Sequence, residues 1–569
     1  MKPFSPVGLL GLVSAITLVV PANSQVAGGG FDKRFSWYGT ADGDLLGHAV
    51  AGVGDVNGDG YGDVLLGAPG VNGLGGELTP DHGLAVVRSG LNGSIIYSYS
   101  GSSDKDKVGT GVTGVGDVDG DTIPDFAISS DANGGEVIVY SGLDGLAILT
   151  ISAPAGSTRF GEHLAAPGDV NADGIPDLLA SGPGSEFGGV TEVGAVYLMS
   201  GADGSLIRSH GGVAQFDNFG RQICCPGDMD GDGISEIVAT ATGANPNGLD
   251  GAGSVFVYSG ATGGQLHQFD GAAKYDFFGW SVASPGDLDG DNFADLLVGS
   301  IFENYNGRGE VGIVYIYSGA TGALIRIHGG SEGSELFGAA VCGIGDMNED
   351  GVPDYAVGSD GTAFGGQVTL WSGANSSVLY KCESETWNEH YGNELMSVGD
   401  LDGNGKTEFM VGAHSTNLTG TAGGAAYLYE YKDFMSVSHN TISASQGAVI
   451  TVDFDFPVDW IYEPKLKYHL LMNTSGITYG SLYGYPNPLI NDYLYSRTLS
   501  GYYPPSFLDA SGQLDADGDG SAKIFLNSDD ANPYLGLSFY FACLFYEEPT
   551  LANAIFRGFS RPAMVTIIN

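Results

Sequence analysis

The chain has 569 residues, with 67 acidic against 21 basic side chains and a formal charge of −46. That balance argues against a nucleic-acid or anionic-membrane binder, because phosphate recognition needs clustered Lys and Arg, and it favours divalent cations. Glycine is abundant at 95 residues, yet 43% of the chain is hydrophobic and 11% aromatic, which excludes a disordered chain and suits short strands joined by tight turns. So long a chain exceeds one ordinary core unless it is a repeat array.

The N-terminus carries Lys2, an apolar run from Val7 to Val20 and a small-residue stretch Ala22-Asn23-Ser24. Residues 1–24 therefore read as a secretory signal peptide cleaved near Ser24. No later run is long and apolar enough to span a bilayer. The expected mature protein is secreted or at the cell surface, with no transmembrane segment after cleavage. The five cysteines (Cys224, Cys225, Cys342, Cys382 and Cys543) fit no zinc spacing. Cys224 and Cys342 stand where another repeat has Ala283, and read as small buried residues.

From Gly54 the chain reads "GDVNGDGYGD". Asp55, Asn57, Asp59 and Asp63 present side-chain oxygens at positions 1, 3, 5 and 9, with the Tyr61 carbonyl at position 7. Hard oxygen donors at this spacing form the first part of a calcium loop. The pattern recurs six more times, at intervals of 52 to 62 residues. The second loop has Asp117, Asp119, Asp121, Asp125 and the Ile123 carbonyl; the third has Asp169, Asn171, Asp173, Asp177 and Ile175. The fourth has Asp228, Asp230, Asp232, Glu236 and Ile234; the fifth has Asp287, Asp289, Asp291, Asp295 and Phe293. The sixth has Asp346, Asn348, Asp350, Asp354 and Val352; the seventh has Asp400, Asp402, Asn404, Glu408 and Lys406. One such loop is weak evidence, but seven in register define a repeat.

Each loop is preceded by "FG" or a relative of it, at Leu46-Gly47, Val108-Gly109, Phe160-Gly161, Phe219-Gly220, Phe278-Gly279, Phe337-Gly338 and Tyr391-Gly392. Each is followed by an apolar run such as "DVLLGAPG", then a Gly-rich connection. In most repeats an alternating run and a turn come next, as in "GSVFVYSGATGGQL". Period-two alternation with Gly-containing turns predicts four antiparallel strands per repeat. These are A (ending at "GD"), B (after the loop), C (ending near "YSG") and D (after the turn), which together make one propeller blade. The last repeat lacks a D strand, and Phe35–Tyr38 is expected to supply it, closing the ring.

These units resemble FG-GAP repeats, the blades of the integrin α-chain propeller and of many secreted bacterial proteins. The likeness rests on "FG", on Gly67-Ala68-Pro69 and on the D-x-[DN]-x-[DN]-G-x-x-[DE] loop, and it covers residues 35–432. It implies an all-β fold, a seven-bladed β-propeller of four-stranded antiparallel blades. It also implies Ca2+, up to seven ions, in the A–B hairpins, and a partner on the face carrying the B–C loops. No ligand-binding domain interrupts the blades.

Position 6 favours glycine, because the loop turns sharply there. Thr122 in loop 2 fits badly and Asn292 in loop 5 fits better. Loop 2 is therefore expected to be the weakest or most distorted site, with loop 7 next because Asn404 lowers its charge. Aromatics of the variable connections (Tyr275, Phe302, Tyr305 and Trp387) either stack on a ligand or pack between loops. Residues 436–569 leave the repeat pattern, and their strand-like runs predict a smaller C-terminal β-sandwich-like module. There Asp515, Asp517 and Asp519 begin one more such motif, but Lys523 at position 9 favours a plain hairpin turn over a weak metal site.

No nucleophile elbow, zinc helix motif or phosphate loop is present, and no catalytic residue stands out. The leading expectation is a calcium-binding, non-enzymatic monomer that recognises an extracellular protein or glycan in surface adhesion. The alternatives are an extracellular hydrolase or lyase on polysaccharide or phosphoester, using an acid/base carboxylate pair, and a purely structural envelope protein.

Overall fold

The computed structural model describes residues 29–433 apart from positions 42, 72–80, 104, 132–134, 332, 363–364, 385–388 and 417–422, together with strands beyond 433. The expected signal peptide at 1–24 and Trp387 lie outside the described residues.

Seven four-stranded antiparallel sheets make up the described body. Blade 1 shows the order. Strand A is Ala49–Gly54, B is Asp63–Ala68, C is Leu84–Arg88 and D is Ile95–Ser100. Every B strand is buried along its whole length, as in Asp63–Ala68 and Asp295–Ser300. Both of its faces meet neighbouring blades, so its sequence is a continuous apolar run rather than an alternating one. D strands lie at the outer rim and expose residues along one side. A strands pack against the A strands of adjacent blades around the axis, including the first against the last.

The ring closes as expected, but over a longer strand. Gly29–Tyr38 pairs antiparallel with Ala425–Asp433 and becomes the outer strand of blade 7. It starts six residues before Phe35 because Phe31 has a place to bury. The Phe31 ring sits 5.1 Å from Phe409 and 5.6 Å from Tyr380 and Tyr431.

The "FG" pair wedges the blades apart at a fixed spacing. Phe160, Phe219, Phe278, Phe337 and Tyr391 are buried. Phe278 packs with Val255 and Val257 of blade 4 and with Leu296 and Val298 of its own blade. Truncating such a ring typically costs about 3–5 kcal/mol. The glycine after it has a φ of 81–89° in all seven blades, which an L side chain adopts only under strain.

A second device ties neighbouring blades at the rim. The third residue of a D strand reaches a glycine carbonyl in the next blade's C–D turn. Tyr97 donates to Gly142 O at 2.9 Å, Arg208 to Gly260 O at 2.6 Å and Arg326 to Gly373 O at 2.7 Å, while His267 Nε2 lies 2.7 Å from Gly319 O. Blade 2 has Leu149 at this place, which has no polar group to offer.

Beyond Asp433, a four-stranded antiparallel sheet includes Ala448–Phe454 and Gly520–Leu526. A larger sheet is built around Lys467–Asn473 and Ser538–Tyr546. The described elements there are all strands. The side chains of the Asp515 motif lie outside the described residues.

Candidate metal sites and the channel mouth

Each A–B loop is shaped by its own carboxylates. In loop 1, Asp55 Oδ1 accepts from Gly58 N at 2.7 Å and its Oδ2 from Gly60 N at 2.8 Å. Asn57 Oδ1 accepts from Asp59 N at 2.9 Å, and Asp59 Oδ1 from Tyr61 N at 3.0 Å. The bonds from position 1 to the N–H of position 6, from 3 to 5 and from 5 to 7 recur in loop 4 (Asp228, Asp230, Asp232) and loop 7 (Asp400, Asp402, Asn404). The side chains at positions 1, 3 and 5 are thus gathered on the concave side of the turn before any cation arrives.

Position 9 is different in kind, because it begins the buried B strand. Asp63, Asp125, Asp177, Glu236, Asp295, Asp354 and Glu408 are all 0% exposed. In the five aspartate loops Oδ2 accepts from the N–H of position 2, as Asp295 does from Leu288 at 2.7 Å. Oδ1 accepts from a glycine N–H in the C–D turn: Gly90, Gly142, Gly201, Gly319 or Gly373. This residue therefore clamps two hairpins of its blade together. Burial pushes the carboxyls of Asp63 and Asp295 up to about 6 and that of Asp354 up to about 7, while the N–H donors pull the other way.

The two glutamates depart from this pattern. Glu236 Oε2 accepts from Met229 N and Glu408 Oε2 from Leu401 N. The other oxygen of each is buried with no hydrogen-bond partner. Carboxylates also converge. The groups Asp228/Asp230/Asp232/Glu236, Asp117/Asp119/Asp125, Asp287/Asp289/Asp291 and Asp400/Asp402/Glu408 each bring oxygens within 4.8 Å of one another. Preformed loops, hard oxygen donors and orphaned buried carboxylate oxygens fit a divalent cation such as Ca2+.

The expectation for loop 2 holds only in part. Thr122 has a φ of 76°, the strained conformation foreseen for it, and Asn292 has 71°. Yet the loop keeps its shape: Thr122 N donates to Asp117 Oδ2 at 2.9 Å, as position 6 does elsewhere. The strain sits in one residue's backbone and does not displace the ligands. Position 4 also needs a positive φ. Ala172 (61°) and Glu349 (59°) occupy it in loops 3 and 6. The glycine that fills this place in the other five loops was the signal in the sequence.

Lys406, placed at position 7 for its carbonyl, turns its side chain back to the preceding loop. Its Nζ donates to Asp346 O and Met347 O at 3.1 Å and pairs with Glu349 at 3.2 Å. An ammonium so placed links loops 6 and 7.

The opposite face carries a second repeated carboxylate that sequence reasoning missed. Three residues before the "FG" glycine stand Asp44, Asp106, Asp217, Asp276, Glu335 and Glu389, all buried. Asp44 Oδ2 accepts from Thr40 N and Ala41 N at 2.8 Å, and Asp106 and Asp217 cap their turns in the same way. The residue after it has a φ of 47–59° in every blade, from Leu45 to His390. These D–A turns are held as firmly as the A–B loops.

Inside them lies the channel, a cavity of about 580 Å3 lined by A strands and including Gln222, Ser281, Cys342 and Glu394. The residue after each "FG" glycine differs from blade to blade: His48, Thr110, Glu162, Arg221, Trp280, Ala339 and Asn393. The Arg221 guanidinium lies 4.8 Å from the Trp280 ring centroid. Burial, then Arg221, lowers the pKa of His48 and of His163. Burial raises Glu394 to about 7, against the pull of Arg221. Of the candidate aromatics, Phe302 packs on Phe277 at 5.7 Å and Tyr305 covers Gly329, while Tyr275 is exposed.

A family profile described as FG-GAP repeat matches residues 46–78, 160–199, 224–258 and 278–317. The chain carries FG-GAP repeats. The matched stretches fall in blades 1, 3, 4 and 5, and the other three blades share their strand order and loops. The chain is similar to integrin alpha-PS2 of Drosophila melanogaster, 30% identical over 200 residues, covering 31% of this chain and 14% of the relative. It is similar to integrin alpha-7 of Mus musculus, 34% identical over 150 residues, 24% of this chain and 12% of the relative. Integrin alpha pat-2 of Caenorhabditis briggsae is 28% identical over 243 residues, 37% of this chain and 19% of the relative. The chain thus spans less than a fifth of the length of these relatives.

Proposed function

We propose that this FG-GAP propeller is an extracellular recognition protein acting in cell-surface adhesion, with Ca2+ in its A–B hairpins as a structural ion. The observation that carries the reading is the set of seven loops preorganised by their own hydrogen bonds, in a propeller akin to integrin α chains. Positions 1, 3, 5 and 9 would supply side-chain oxygens and position 7 a carbonyl. The ion neutralises carboxylates that otherwise repel one another, and so fixes each hairpin.

The ligand, a protein or glycan, meets the B–C and D–A face, where firmly capped turns present side chains that differ in every blade. Loops on a rigid scaffold are where recognition residues collect. Export by a signal peptide at 1–24 belongs to the same reading, since ambient extracellular calcium keeps such sites filled. An array of glycans and surface proteins, probed with and without chelator, tests it. Calcium-dependent capture without turnover supports recognition, and turnover of an arrayed polymer would replace it with the hydrolase reading.

A further inference from the structure

The seven loops are not equivalent in what they leave unsatisfied, and the difference follows two positions. Resting on the reading of these loops as calcium sites, we propose that loops 4 and 7 form a separate, tighter pair of Ca2+ sites in which Glu236 and Glu408 are decisive ligands, while loops 1 and 3 stand closed without metal.

At position 9, aspartate spends both oxygens on N–H donors of its own blade. Glutamate spends only one. In blade 4 the second oxygen of Glu236 has no donor, and in blade 7 the same is true of Glu408. Blade 7 has a structural cause for this: its D strand arrives from the N-terminus, so the C–D turn that supplies the donor elsewhere does not exist. Each glutamate is 0% exposed and lies within 4.8 Å of the aspartates of its loop. A buried carboxylate oxygen without a donor is unfavourable. A divalent cation at the cluster supplies the missing partner.

Position 3 sets the other extreme. In loop 1, Asn57 Nδ2 donates to both oxygens of Asp63 at 3.1 Å. In loop 3, Asn171 Nδ2 lies 2.9 Å from Asp173 Oδ2 and 3.5 Å from Asp177 Oδ1. The amide stands where a cation would, so metal entry has to break bonds already made. Loop 6 also has asparagine, Asn348, and it carries the Lys406 ammonium on two of its carbonyls. Loops 2 and 5 lie between these extremes: their aspartates converge, but each position 9 is already satisfied. Charge count alone ranks loop 7 low; the orphaned oxygen ranks it with loop 4.

The test is calcium titration of the metal-stripped full-length chain, by calorimetry for affinity and native mass spectrometry for ion count. A first, tight step of two ions is expected. E236D gives loop 4 the residue with which the other five fold, and E408Q removes the charge from loop 7, where no C–D turn is present to satisfy an aspartate. Each is expected to remove one ion from that step, with affinity there falling roughly tenfold or more. N57D opens loop 1 and is expected to add one ion to the weaker step. A double E236D/E408Q variant that keeps the two-ion step, or seven ions of equal affinity, overturns the hierarchy and leaves the calcium reading intact. No calcium uptake by the unaltered chain overturns both.

Discussion

The two ends of the channel are built by the same strands and treat their side chains in opposite ways. On the A–B face oxygen-bearing side chains recur at the same positions in all seven blades, and the aspartate at position 1 accepts from the N–H of position 6 in every one, as Asp55 and Asp400 do. On the other face the turn backbone recurs just as faithfully, with one residue per blade at a φ of 47–59°. The side chain just past the "FG" glycine varies from His48 to Trp280 to Asn393. Repetition at the first end serves the fold. Variation on an equally fixed frame at the second end suits the proposed recognition role, because there the identity of the side chain is not needed to hold the blade.

On that contrast, the largest stability effects belong to the first face. Asp295→Ala removes the clamp between Leu288 N and Gly319 N and strands two buried donors. A loss of about 3 kcal/mol is expected, read from denaturant unfolding, and a loss under 1 kcal/mol would show that the clamp is dispensable.

Glu394 at the channel tests the second face. Burial pushes its carboxyl up to about 7, above the ordinary glutamate value of 4.5. The folded chain therefore holds an extra proton between those values, and the stability it contributes is lost as pH rises through about 7. Glu394→Gln should raise stability by about 1–3 kcal/mol at pH 8 and leave it little changed at pH 4.5. Thermal melts at the two pH values read this; equal effects at both would place the carboxyl in water.

Arg326→Ala removes bonds to Gly373 O and Ser376 Oγ at the rim between blades 5 and 6. An expected loss of about 1–2 kcal/mol contrasts with blade 2, where Leu149→Ala breaks no hydrogen bond. Smallest is Thr122→Gly, which relieves the φ of 76° and should add about 0.5–1 kcal/mol, net of the glycine's greater freedom when unfolded. A destabilised variant would mean that the threonine side chain makes a compensating contact.

Blade count, strand order and loop positions were legible in the sequence because each is a local pattern repeated seven times. Turn residues, period-two alternation and "FG" spacing all act within about 60 residues. The late D strand was legible too, since blade 7 visibly lacked one. What stayed hidden depends on neighbours distant in the chain. Phe31 extends the closing strand because Phe409 and Tyr431, almost four hundred residues away, leave room for its ring. Lys406 reads in the motif as a carbonyl ligand, while its ammonium reaches back to the carbonyls of loop 6. Glu236 and Glu408 looked interchangeable with aspartate. In a motif a carboxylate is only a carboxylate. Whether its second oxygen meets a glycine N–H or nothing is decided by where the C–D turn falls in three dimensions.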